Sequence, residues 1–136
     1  MSRFDQSLVW FRRDLRSFDH AALHYALTNS NKVYCVFLYD RAILEPLPRT
    51  DRRVEFIHDS IRELAAELQQ MGGALIVRHA HAAEIVTLAA QLGVDMVCVN
   101  RDYEPQALRR DEEVTAALEA AGRQFFSFKD QVIFEK

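Results

Sequence analysis

Four short clusters of residues that could do chemistry follow apolar runs in this chain. The first is Arg12-Arg13-Asp14-Leu15-Arg16, and the second is Tyr39-Asp40, followed after Pro46 and Pro48 by Arg49-Thr50-Asp51-Arg52-Arg53. The third is Arg78-His79-Ala80-His81, and the fourth is Asn100-Arg101-Asp102-Tyr103-Glu104-Pro105. Guanidinium forks match carboxylates and phosphates two bonds at a time. Such a rim can therefore tie loops together by ion pairs, or it can hold an acceptor-rich ligand. An ion-pair network is the reading for Arg12, Asp14 and Arg16; for Arg13 and Arg53 network and ligand contact are both open.

Other chemistries find little support. His20 and His24 stand one helical turn apart, a spacing that can bind zinc, but no third ligand falls nearby. His79 and His81 point to one side of an extended segment, again without a partner, so packing or solvated histidines are expected. Cys35 and Cys98 each sit in an apolar run without ligand spacing and read as buried thiols. There is no G-x-S-x-G nucleophile motif. Trp10, inside the first apolar run, reads as core. A receiver-type phosphoacceptor could use Asp14 and Lys129, but its acceptor aspartate is missing where the third run ends in Arg78-His79. On its own residues the chain looks like a binding domain without a visible catalytic site.

The elements that must position these clusters alternate regularly. Apolar runs at Ser7–Phe11, Lys32–Tyr39, Ala74–Val77, Asp95–Asn100 and Gln124–Phe128 contain β-branched or aromatic residues on both parities, as strands covered on both faces do. Between them lie helical patterns. Leu23, Ala26 and Leu27 mark a short one after His20, and Val54, Ile57, Ile61, Leu64, Ala65, Leu68 and Met71 a long one. Ile85, Leu88, Ala89 and Leu92 mark a third, and Leu108, Val114, Ala117, Leu118 and Ala121 a fourth. All four glycines (Gly72, Gly73, Gly93, Gly122) fall after a helical pattern and before an apolar run, as helix stops do. The expected fold is α/β: a doubly wound five-stranded parallel sheet with helices on both faces, Rossmann-like. No glycine lies in a strand-to-helix turn, so the G-x-G-x-x-G fingerprint and the P-loop are absent.

A length of 136 residues suits one domain with one real core. The net charge of −3 gives no global basic field for nucleic acid, so DNA binding would need a local arginine patch. No apolar run approaches a membrane span, and the N-terminus lacks a signal-peptide pattern, so a cytoplasmic protein without membrane partners is expected.

The set V-W-F-R-R-D-L-R (Val9–Arg16), Arg53 opening the long helix, and N-R-D-Y-E-P (Asn100–Pro105) followed by Arg110-Asp111 resembles the DNA photolyase and cryptochrome family. The resemblance runs from Leu8 to Asp130-Gln131-Val132-Ile133-Phe134. It implies that residues 1–136 are the N-terminal α/β antenna domain, and that the helical domain that binds FAD, damaged DNA and this domain is absent. It implies a light-driven lyase in the full-length protein, in which reduced flavin donates an electron to a flipped-out cyclobutane pyrimidine dimer. The isolated domain is then expected to be inactive in repair and to bind a light-harvesting chromophore. Members that hold methenyltetrahydrofolate tend to carry Asn-Glu where this chain has Gln106-Ala107, which removes the folate-binding carboxylate. The Asp102-Tyr103-Glu104-Pro105 form is more similar to members that bind 8-hydroxy-5-deazaflavin. The resemblance thus favours a deazaflavin or flavin-like antenna, or an empty pocket, over folate. It carries chromophore contacts onto Arg13, Phe37, Leu38, Arg53, Asp102 and Glu104. Asp102 and Glu104 also read as caps for the following helix. Two other readings stand beside the repair enzyme: a cryptochrome photoreceptor carrying the same domain, and a free-standing nucleotide-binding domain of universal-stress or electron-transfer-flavoprotein type.

Overall fold

A computed structural model of the chain describes residues 3–12, 15, 20–39, 52–101 and 105–129. Among the described residues five strands alternate with four helices: β1 (Phe4–Phe11), α1 (Ala21–Asn29), β2 (Ser30–Tyr39), α2 (Arg52–Gln70), β3 (Leu75–His79), α3 (Glu84–Leu92), β4 (Met96–Asn100), α4 (Pro105–Ala120) and β5 (Gln124–Phe128). All pair in parallel, in the order β3-β2-β1-β4-β5. This is the doubly wound α/β fold expected from the alternation.

β1 is central because it is apolar on both parities. Val9 lies level with Cys35 of β2 on one side and Cys98 of β4 on the other. One face of the sheet packs Leu8, Trp10, Val36, Leu38, Val97 and Val99 against Ile85 and Leu88 of α3 and Val114 and Leu118 of α4. The opposite face packs Val9, Phe11, Cys35, Met96 and Cys98 against Ala22, Leu23 and Ala26 of α1 and Leu64 and Leu68 of α2. The chain runs outward from β1 through β2 to β3, then returns past β1 to β4. The strand order therefore reverses between β1 and β4, and the crevice at their carboxyl ends is where α/β sheets of this kind bind ligands.

Local chemistry sets the element ends. His20 is the N-cap of α1: its ring Nδ1 accepts from the backbone N–H of Leu23 at 3.1 Å, and the ring packs on Phe11 with centroids 4.6 Å apart. Gly93 closes α3 at φ 71°, a left-handed conformation costly to any side chain, and its N–H donates to the Ala89 carbonyl at 2.9 Å.

Several boundaries differ from the sequence reading, for physical reasons. β1 starts at Phe4 rather than Ser7, because Phe4 pairs with Ser30 and packs against the rings of Tyr25 and Phe126. β2 starts at Ser30 because α1 passes into it without a loop. β3 extends through Arg78 and His79, which pair with Leu38 and Tyr39 at the sheet edge. Asp95 precedes β4 and instead accepts the backbone N–H groups of Asp5 and Gln6 at 3.0 and 3.3 Å. Leu27 and Met71, expected on buried stripes, are 48% and 52% exposed. Leu23→Ala is accordingly expected to cost about 2–5 kcal/mol, because a fully buried leucine leaves a cavity. Leu27→Ala should change stability by less than about 1 kcal/mol; urea unfolding of the two variants measures the contrast.

Candidate functional site at the strand carboxyl ends

Arg12 is the first residue beyond β1, and its guanidinium is turned inward. Nη1 donates to the Asp111 carboxylate of α4 at 2.7 Å, and Nη2 donates to the backbone carbonyl of Asn100 at the tip of β4 at 2.6 Å. Both side chains are about nine-tenths buried, at 8% and 11% exposure. The Arg12 guanidinium carbon also lies 4.8 Å from the centre of the Trp10 ring, and that of Arg110 lies 5.5 Å from the same centre. Two cations thus sit against one buried indole, an arrangement favoured by the negative face of the ring. This is the ion-pair network expected for Arg12; Asp14 and Arg16 lie outside the described residues.

Across the crevice stands Asn100, buried to 4% exposure at the last position of β4. Its Oδ1 accepts from the backbone N–H of Ala22 in the first turn of α1 at 2.9 Å. Two residues earlier on the same face, the thiol of Cys98 donates to the Ala22 carbonyl at 3.4 Å. Asn100 Nδ2 and Trp10 Nε1 are both buried without a hydrogen-bond partner among the described residues. Both are donors, and each lost bond costs about 1–3 kcal/mol unless an acceptor is supplied.

A second grouping lies at the carboxyl end of β2, toward the β3 edge. The Tyr39 hydroxyl lies 2.7 Å from His58 Nδ1 of α2, and its ring stacks on His79 with centroids 4.6 Å apart and planes inclined by 12°. Phe37 meets Tyr39 edge to face at 5.1 Å. Burial raises the Tyr39 hydroxyl pKa, and the positive charge of Arg62 partly offsets the rise.

Of the six expected chromophore contacts, Phe37 and Leu38 are fully described. Consecutive strand residues face opposite sides, so Phe37 joins Tyr39 and Ile61 on the α2 side while Leu38 joins the core beneath α3 and α4. Arg53 is in the first turn of α2. Arg13, Asp102 and Glu104 lie outside the described residues. The sequence reading placed Tyr39 and Asn100 in the polar clusters and Asp111 in the family motif without assigning them contacts, and it did not single out His58. The signal for Asn100 was a lone polar side chain closing a wholly apolar strand.

The DNA photolyase family model matches residues 7–136. The chain belongs to the DNA photolyase family. The deoxyribodipyrimidine photo-lyase of Synechococcus sp. is 33% identical over 127 residues, covering 93% of this chain and 26% of that protein. Among solved structures, the archaeal photolyase from Sulfolobus tokodaii with two FAD molecules superposes with a TM-score of 0.82 at 34% identity, covering 91% of this chain and 29% of that one. The Synechocystis sp. PCC6803 cryptochrome superposes with a TM-score of 0.83 at 26% identity, over 95% of this chain and 28% of that one. The chain thus spans about a quarter of the length of the curated photolyase it matches. Among the described residues no helix is long and apolar enough to cross a membrane.

Two tests follow from the photolyase crevice. Asp111→Ala removes the carboxylate at 2.7 Å from the buried Arg12 cation and is expected to cost about 3–5 kcal/mol, whereas Asp59→Ala, which breaks the exposed pair with Arg62, should cost no more than about 1 kcal/mol; urea midpoints compare them. The thiols give the second. Burial pushes the Cys35 pKa from 9.0 up to about 12 and raises that of Cys98 as well. Neither is a thiolate at pH 8, so labelling by a thiol-specific disulfide reagent should proceed only as fast as the chain opens. Above pH 9 the unfolded chain releases these protons and the folded one keeps them, so stability should fall as pH rises through that point; thermal melts between pH 7 and 10.5 read it.

Proposed function

We propose that this chain is the antenna-chromophore-binding domain of a light-driven DNA repair enzyme, a cyclobutane pyrimidine dimer photolyase. The observation that carries the reading is the character of the crevice where the strand order reverses. On the α1 face Asn100 Nδ2 is a buried donor without a partner among the described residues, and on the opposite face Arg12 and Arg110 place positive charge against the buried Trp10 indole. A planar ring system with several carbonyl or ring-nitrogen acceptors fits such a site. A metal or a cationic ligand does not.

The chromophore, when bound, supplies absorption at wavelengths where the repair flavin absorbs weakly and hands on the excitation energy. The task of this chain is to hold it rigidly in one orientation. On the family pattern Arg13, Arg53, Asp102 and Glu104 supply polar anchors, and Phe37 and Leu38 the apolar wall. The Arg12–Asp111 pair and the capped start of α1 fix the carboxyl ends of β1 and β4 against α4 and α1. The whole protein, on this reading, binds FAD and damaged DNA through a helical domain, and this chain takes no part in bond cleavage. The cytoplasm is the proposed location.

An 8-hydroxy-5-deazaflavin or another flavin is the proposed antenna, because Ala107 offers no carboxylate to a pterin. The two FAD molecules of the Sulfolobus tokodaii photolyase support a flavin as an acceptable second chromophore. Fluorescence titration of the chain is expected to show tighter binding of deazaflavin or FAD than of methenyltetrahydrofolate; tighter folate binding reverses the assignment. The likeness to the Synechocystis cryptochrome favours a second reading, the same domain in a blue-light photoreceptor. Light-dependent dimer splitting by the full-length protein separates the two.

A further inference from the structure

We infer that Asn100 is a ligand-orienting residue, whose Nδ2 donates a hydrogen bond to an acceptor on the ring edge of the flavin-type chromophore. The inference rests on the antenna reading and names a contact that the family pattern did not supply.

Four observations lead there. Asn100 is the last residue of β4, beside β1, at the one place in this sheet where consecutive connections leave in opposite directions. Its side chain is 96% buried, since its residual exposure is 4%. The orientation of its carboxamide is forced: the group beside Ala22 is a backbone N–H, which needs an acceptor, so the oxygen must face α1 and the amide nitrogen must face away. Nδ2 then has no acceptor among the described residues, although its own backbone carbonyl is occupied by Arg12.

The carboxamide cannot turn to relieve the unpaired donor without breaking the bond to Ala22 and exchanging one buried orphan for another. An apolar side chain at this position would remove the unpaired amide but leave the Ala22 N–H without its acceptor, so the cap accounts for the amide oxygen and not for the amide nitrogen. A serine or threonine could cap α1 equally well and would leave no second branch. What distinguishes asparagine is that the atom fixed by the helix fixes, through a rigid plane, a donor at the switch point. The acceptor it meets is a neutral carbonyl oxygen or ring nitrogen, the groups that line one edge of flavins and deazaflavins.

Asn100→Ser tests this, because a neutral hydroxyl oxygen can still accept from the Ala22 N–H but carries no amide branch to reach the ligand. Titrated with FAD and with 8-hydroxy-5-deazaflavin, the variant is expected to bind about tenfold or more weakly than wild type while its melting temperature holds. Equal affinity in wild type and variant overturns the assignment and leaves the antenna reading intact, with a buried water as the partner of Nδ2. No binding of either probe by wild type overturns both.

A second measurement needs no variant. The chain has three asparagines, and Asn29 and Asn31 lie at the amino ends of the strands. In asparagine-labelled wild-type protein the Asn100 side-chain amide signals should shift on titration while those of Asn29 and Asn31 stay in place. An Asn100 pair that does not move on saturation with a bound flavin refutes the contact.

Discussion

The carboxyl end of this sheet is organised around one guanidinium. Arg12 donates to the tip of β4 through the Asn100 carbonyl, to α4 through Asp111, and lies over Trp10 on its own strand. Three elements separated by some ninety residues of chain thus meet on one planar cation. A buried ion pair adds little net stability, because taking both charges out of water offsets their attraction. Its effect is geometric: any shift of β4 relative to β1, or of α4 relative to either, strands a charge in the interior. The pair therefore specifies one relative placement of the elements that frame the crevice.

That rigidity complements the other side of the crevice, where the start of α1 is held by two side chains, His20 and Asn100. Each satisfies a backbone N–H that the helix itself cannot. With Cys98 donating to Ala22 as well, the first turn of α1 is tied to β4 as firmly as α4 is tied to β1. Under the proposed antenna reading such bracing would hold a planar molecule at a fixed angle, and energy passed between chromophores depends on their relative orientation. Bracing from both faces also explains why polar side chains concentrate at this end of an otherwise apolar sheet.

The fold was legible in the sequence because its signals are local. Strands apolar on both parities, helical stripes and helix-stopping glycines each report on a few neighbouring residues, and Gly93 behaves as its position foretold. Leu27 misled because a nine-residue helix shows too few turns to separate its buried side from its exposed one. The site was legible only in part. Arginines and carboxylates along a rim announce pairing, but that Arg12 chooses Asp111, 99 positions away, is a fact of packing. Asn100 was harder still, since its meaning depends on the start of α1, 78 positions earlier in the chain. The opposite facing of Phe37 and Leu38, by contrast, follows directly from strand alternation.

The central place of β1 has a bearing on how the chain assembles. Its edge against β2 can close once the first forty residues exist, because Leu8 to Phe11 pair with Tyr34 to Phe37. Its other edge waits for Met96 to Cys98, about ninety positions away. In the interval a strand whose second half is wholly apolar presents an unpaired ladder, the kind of edge that recruits strands from other chains. Arg12 directly follows the strand in sequence and supplies charge where an intruding strand would continue. The same arginine that later locks the finished sheet thus stands, during synthesis, as a guard against wrong partners.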